Sequence, residues 1–217
     1  DQPRSARADL TAVAADAMGA VTHRFAATIS GTPGAVWAAA TGAEQPGSAA
    51  YGVALLSRYP VRDWHVVYLP RIPFVPGEEP RVALAGRFDT PMGTLTMAGT
   101  HLSYVPGWNR YQLRRLSGDL AAFPGPRMVL GDLNMASRAA QRWSSLRSLA
   151  ATPTFPAHRP TRQLDHVLTD HPHLRARRCG TPQLAISDHR PLVVDLEVAA
   201  HALTSCDTGK SEEKADG

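Results

Sequence analysis

The chain has 217 residues, 43% of them hydrophobic, and a formal net charge of +4. That is enough for one domain with a substantial core, and no apolar run in it approaches the roughly 18–20 residues that a bilayer-crossing helix needs. Apart from Lys210 and Lys214 the positive charge is arginine, whose planar fork of donors is compatible with an anionic substrate, although an arginine- and alanine-rich chain reads equally as the mark of a GC-rich genome.

The opening, Asp1-Gln2-Pro3-Arg4, has no charged-then-apolar leader pattern, and a leader already cleaved would leave none either, so the location stays open between cytoplasmic and secreted for a protein expected to be soluble. From Ser5 to Met18, residues Leu10, Val13, Ala14, Ala17 and Met18 recur at helical spacing, with Ser5 or Asp9 near the start and Gly19 past the end. This predicts an amphipathic surface helix covering one side of a sheet. Val21 to Ile29 reads as a strand, and the Gly-, Pro- and Thr-rich stretch Ser30 to Ala49 as a long loop. Tyr51 to Ser57 is a short apolar strand and Val61 to Leu69 its neighbour. After the Pro-rich run Pro70 to Pro80, Arg81 to Phe88 and Thr94 to Leu102 form a hairpin around the turn Asp89 to Gly93.

Trp108 to Phe123 places Tyr111, Leu113, Leu116, Leu120 and Phe123 on one helical stripe, and Ser137 to Leu149 reads as a shorter helix with Trp143, Leu146 and Leu149 inward. Leu164 to Thr169, Leu174 to Cys179 and Arg190 to Val198 supply the last strands. Hairpins with interspersed helices give an α+β class. The domain spans residues 1–198, and a polar tail, 199–217, reads as disordered. Cys179 and Cys206 have no metal-like spacing, and Cys206 lies in that tail, so no disulfide is expected.

Chemistry concentrates in Met128-Val129-Leu130-Gly131-Asp132-Leu133-Asn134. The apolar run reads as a buried strand, and in extended backbone residues two apart share a side, so Asp132 and Asn134 can reach one small object together. A carboxylate acceptor beside a carboxamide suits a phosphate with an attacking water, although G-D-x-N taken alone reads more readily as a turn closed by an Asx hydrogen bond.

Three further stretches accompany it in order: Thr100-His101-Leu102 upstream, then Gln163-Leu164-Asp165-His166 and Ser187-Asp188-His189-Arg190 downstream, with Tyr51 to Arg58 before them all. In this sequence the chain resembles the endonuclease/exonuclease/phosphatase superfamily of metal-dependent phosphoesterases. The resemblance implies a four-layer α/β/β/α sandwich of two mixed sheets flanked by helices, with catalytic loops gathered at one sheet edge. It makes Asp188 a metal ligand, His189 the acid/base with Asp165 orienting its ring, Asp132 the residue that positions water or serves as the base instead, and Asn134 the holder of a phosphate oxygen. His101 would bind phosphate or help protonate the leaving group; apurinic-site endonucleases carry tyrosine there, so His101 points to deoxyribonuclease-, sphingomyelinase- or phosphatase-like relatives. His166, next to Asp165, points the other way along a strand and is structural. Arg58 and Arg81 stay outside the site.

The family normally opens with a strand carrying an asparagine and then a glutamate near Gln-Glu that serves as the principal metal carboxylate. Neither is found here, and Glu44 is the only glutamate before Glu78. The expectation is therefore an N-terminally incomplete domain with weak Mg²⁺ binding and little activity by itself. The function implied is a divalent-metal phosphoesterase using Mg²⁺ (or Mn²⁺) and in-line attack of an activated water on a phosphodiester or phosphomonoester. The substrate would be nucleic acid, a phospholipid head group or a small phosphoester, and the protein a monomer. The alternative is a catalytically weak relative that binds a phosphate-bearing ligand.

Overall fold

The structure is a computed structural model, and it describes residues 6, 8–31, 37–42, 49–73, 75 and 78–199. The expected tail from 200 onward, Cys206 included, lies outside the described residues, as do Ser5 and Glu44.

The described residues form eleven strands and three helices in the order α1 (Leu10–Met18), β1 (Thr22–Gly31), β2 (Trp37–Ala39), β3 (Ala50–Ser57), β4 (Val61–Tyr68), β5 (Val82–Thr90), β6 (Gly93–His101), α2 (Trp108–Leu120), β7 (Arg127–Asp132), α3 (Ser137–Ser144), β8 (Arg147–Ser148), β9 (Asp165–Thr169), β10 (Leu174–Gly180) and β11 (Val193–Val198). At the centre is a six-stranded mixed sheet of order β4-β5-β6-β7-β9-β8. Within it only the β6–β7 pair is parallel, because α2 carries the chain back between them. The second β-layer is divided into a three-stranded sheet, β2-β1-β3, and a two-stranded sheet, β10-β11. With α1 against β1 and β3, and with α2 and α3 on the far face of the large sheet, the layers run α/β/β/α.

Packing follows from alternation along the strands. One face of the large sheet presents Ala83, Ala85, Ala98, Val129 and Leu168 to Leu113, Leu116 and Leu120 of α2 and Ala140 of α3. Small alanines on the sheet leave room for the helical leucines, each of which contributes about 2 kcal/mol by burial. The opposite face presents Val82 and Leu84 to Val53 and Leu55, and Leu95 and Met128 to Leu174, Val194 and Leu196. Gly99 lets β3 close onto β6, since a Cβ there would lie 2.8 Å from Leu55 Cδ2.

Four expectations change. The loop drawn over Ser30 to Ala49 contains β2, which pairs antiparallel with the end of β1. The helix drawn to Leu149 ends at Ser144, with Ser145 left-handed at its cap, and β8 follows. The α1 stripe does not turn inward: Asp9 caps the helix through Thr11 N and Ala12 N and Gly19 ends it as expected, yet Leu10 and Val13 are about 60% exposed and only Ala15 is buried. Its packing surface is too narrow to cover all five apolar positions. Tyr111 is likewise exposed, its ring tilted against Trp108 at 5.2 Å, while the leucines of α2 fill the core.

Candidate active site

Register brings the site together. His101 ends β6 and lies directly opposite Asp132, the last residue of β7, and Asp132 in turn lies opposite Asp165, the first residue of β9. Three polar side chains thus form a row across three adjacent strands, on the face that also carries Met97, Leu130 and Val167. His166, one residue on, points to the other face, where it is buried and its Nε2 pairs with Met135 O at 2.8 Å; desolvation pushes its pKa down. It is structural, as its place in the strand required.

Gly131 makes the row possible. Its φ is +127°, and a Cβ there would sit 2.0 Å from Thr100 O, so only glycine fits beside β6 at this point. The strand ends at Asp132, and Asn134 is left-handed at φ 51°, with its N–H donating to Asp132 Oδ1 at 2.9 Å. The Asx turn therefore forms, and it is this turn rather than strand alternation that sets Asn134 relative to Asp132. Asn134 Nδ2 donates to Leu102 O, and Asn109 Nδ2, from the first turn of α2, donates to Asn134 O. These bonds lock the loop to β6 and to α2.

His189 reaches the row from the segment before β11. Loop 154–162 holds it: Ala157 N donates to Asp188 O, Arg190 N to Thr154 O, and Arg190 Nε to Ala157 O, while the Phe155 ring lies 4.9 Å from the His189 ring. Thr154, fully buried, also accepts from Leu164 N and Asp165 N through Oγ1. One threonine thus steadies both Asp165 and His189. Neither Thr154 nor Asn109 is readable as a site residue from sequence, because neither lies in a motif and each acts through the backbone.

The geometry is a chain of titratable groups. Asp165 Oδ2 accepts from His189 Nδ1 at 2.8 Å; His189 Nε2 lies 3.9 Å from Asp132 Oδ2, and His101 Nε2 lies 3.5 Å from the same oxygen. The His101 Nδ1 is 3.3 Å from the Tyr51 hydroxyl. Burial alone would lower the His189 pKa, but the hydrogen bond and charge of Asp165, aided by Asp132 and Asp188, outweigh it and raise the value above the ordinary range. Desolvation, with the charges of Arg81 and His189, pushes His101 down to about 4; about a third of its side chain is still exposed, and the ring is neutral at pH 7. Asp132 is raised to about 6, chiefly by burial and against the pull of the Asn134 N–H.

Oxygen and nitrogen donors of Asp132, Asp165 and His189 lie within 4.8 Å of one another, a set able to hold a metal ion. Asp188 is not in that set. Its side chain is exposed, close to Ser187 Oγ at 3.4 Å. Of the six residues read from the motifs, His101, Asp132, Asp165 and His189 converge, Asn134 frames the loop beneath them, and Asp188 stands at the rim.

The profile of the endonuclease/exonuclease/phosphatase family matches residues 4–189. The chain belongs to that family. No curated protein matches. Among solved structures, a family member from Bacteroides vulgatus is similar at 19% identity and a TM-score of 0.59, over 82% of this chain and 76% of that one. The human nocturnin catalytic domain with bound sulfate is similar at 18% identity and a TM-score of 0.59, over 88% and 76%. A mannosyl-6-phosphatase from Bacteroides thetaiotaomicron gives 18% identity and a TM-score of 0.53, over 66% and 70%. These likenesses establish the sandwich fold, and membership supports a phosphoesterase at the level of the family. No helix among the described residues is long and apolar enough to cross a membrane.

Proposed function

We propose that this endonuclease/exonuclease/phosphatase family chain hydrolyses a phosphodiester or phosphomonoester with a divalent cation, as a monomer, by in-line attack of water. The observation that carries the reading is the placing of two imidazole Nε2 atoms 3.5 and 3.9 Å from one carboxylate oxygen, Asp132 Oδ2, with Asp165 holding the far nitrogen of one of them. A hard cation fits the donors: Asp132 is a desolvated carboxylate raised to about 6 with a second carboxylate near it, and a positive ion would relieve both strains. Asp132 and Asp165 would hold Mg²⁺ or Mn²⁺, with Asp188 available at the rim. When bound, the ion supplies Lewis-acid polarisation of the phosphoryl oxygens and a more acidic water.

The residues divide the remaining work. Asp132, ionised at neutral pH, accepts the proton of the attacking water through Oδ2, the oxygen beside the two imidazoles. That reverses the order read from sequence, in which His189 came first as base. His189, held charged by Asp165, faces the growing negative charge and delivers a proton to the leaving oxygen. His101, neutral, donates one hydrogen bond to a phosphoryl oxygen, and Asn134 keeps the Asp132 turn in place.

Nitrophenyl phosphodiester and monoester, plasmid DNA and a phospholipid with a phosphorylated head group, assayed with Mg²⁺ or Mn²⁺, test the reading. EDTA-sensitive hydrolysis is expected, and His189→Ala should lower kcat by about 10²–10⁴-fold with the circular dichroism spectrum unchanged. Hydrolysis that persists undiminished in that variant would overturn the proposal.

A further inference from the structure

Arg81 stands immediately before β5. Ala83 pairs with Thr100, so Arg81 lies at the same end of the sheet as His101, and its carbonyl is fixed by Leu69 N. The residue is 7% exposed, a rare setting for a side chain that is always charged. Among the described residues its guanidinium makes one ion pair, NH2 to Glu79 Oε2 at 3.4 Å, and its Nε–H is buried with no acceptor. Its charge acts on the cluster, helping to depress the pKa of His101 and opposing the rise at Asp132. Arg58 differs: its Nε caps the end of α1 at Met18 O, 2.8 Å away.

A buried guanidinium with a single long, partly exposed partner and an orphaned donor is short of an anion. The group that would approach the row of His101 and Asp132 in a phosphoesterase carries such oxygens. We infer that Arg81 is a substrate-binding residue of this site, donating hydrogen bonds from its guanidinium to a non-bridging phosphoryl oxygen and giving up its contact with Glu79 as it does so. The inference rests on the phosphoesterase reading for its substrate, but its core is an anion site that stands without catalysis.

Titration calorimetry with inorganic phosphate, with and without Mg²⁺, decides it on the wild type, Arg81→Met, Arg81→Lys and Glu79→Gln. Phosphate should bind about tenfold or more weakly to Arg81→Met and recover in part with Arg81→Lys, which keeps the charge and loses the fork. Glu79→Gln, which removes the competing carboxylate at a partly exposed position, should tighten phosphate about threefold. With a nitrophenyl substrate, Arg81→Met should raise KM while kcat stays within about twofold, the pattern of lost binding. Unchanged phosphate affinity in a folded Arg81→Met protein overturns the inference, and if that variant does not fold, unchanged affinity in Glu79→Gln does so. A wild type that binds phosphate in this Arg81-dependent way without hydrolysing an ester sinks the catalytic reading alone. One that hydrolyses with KM unaltered in Arg81→Met sinks the role of Arg81 alone.

Discussion

Replacing Asp132 by Asn should make the metal-free protein more stable at neutral pH while abolishing its chemistry. The Asp132 carboxyl is raised from 3.8 to about 6, first by burial and then by the nearby Asp165 charge. The folded protein therefore holds this proton more tightly than the unfolded chain, and ionising the group costs stability as pH rises from about 4 to about 6. A displacement of about two pH units amounts to at most about 3 kcal/mol, which for a chain of this length is about 6–12 °C in Tm. Asparagine retains the Oδ1 acceptor for Asn134 N and carries no charge to desolvate. Thermal melts of both proteins in EDTA at about pH 4 and about pH 7 should show the variant level with wild type at the lower pH and ahead at the higher. Added Mg²⁺ should stabilise only the wild type and close the gap. An equal offset at both pH values, or a less stable variant at neutral pH, would refute the assignment of a strained carboxylate.

In metal-free protein, Asp165→Asn should move the His189 ring titration followed by NMR to lower pH, because Asp165 is the main group holding that pKa up; an unmoved midpoint would break the pair. Activity that needs charged His189 should fall as pH rises through its raised pKa, and the same substitution should bring that alkaline limb to lower pH. Thr154→Val, nearly isosteric, strands Leu164 N and Asp165 N and should cost about 1–3 kcal/mol, with the His189 titration shifted down as Asp165 loosens. Gly131→Ala should cost at least about 2 kcal/mol in urea unfolding, given the +127° φ and the contact with Thr100 O.

Much of the fold is local chemistry and was legible. The leucines of α2, the Asp9 and Gly19 caps and the hairpin around Pro91-Met92 each follow from periodicity or turn residues, and all form. The short strands β2 and β8 were missed because two or three residues hold no period and exist only through the partners they find in β1 and β9. The exposed face of α1 was misjudged for a related reason: an apolar stripe says that a face can be buried, not that the sheet is wide enough to bury it.

The residue types of the site, His101, Asp132, Asp165 and His189, were set by the sequence and its order of motifs, since chemistry travels with side chains. Their convergence on Asp132 Oδ2 was not, nor were the separation of Asp188 from the cluster, the burial of Arg81 and the bracing by Thr154 and Asn109. Those depend on strand register, on loops tied across more than twenty residues, and on desolvation, and each is a property of the space between segments. A sequence names the groups that can ionise, whereas only packing decides how much water each one keeps.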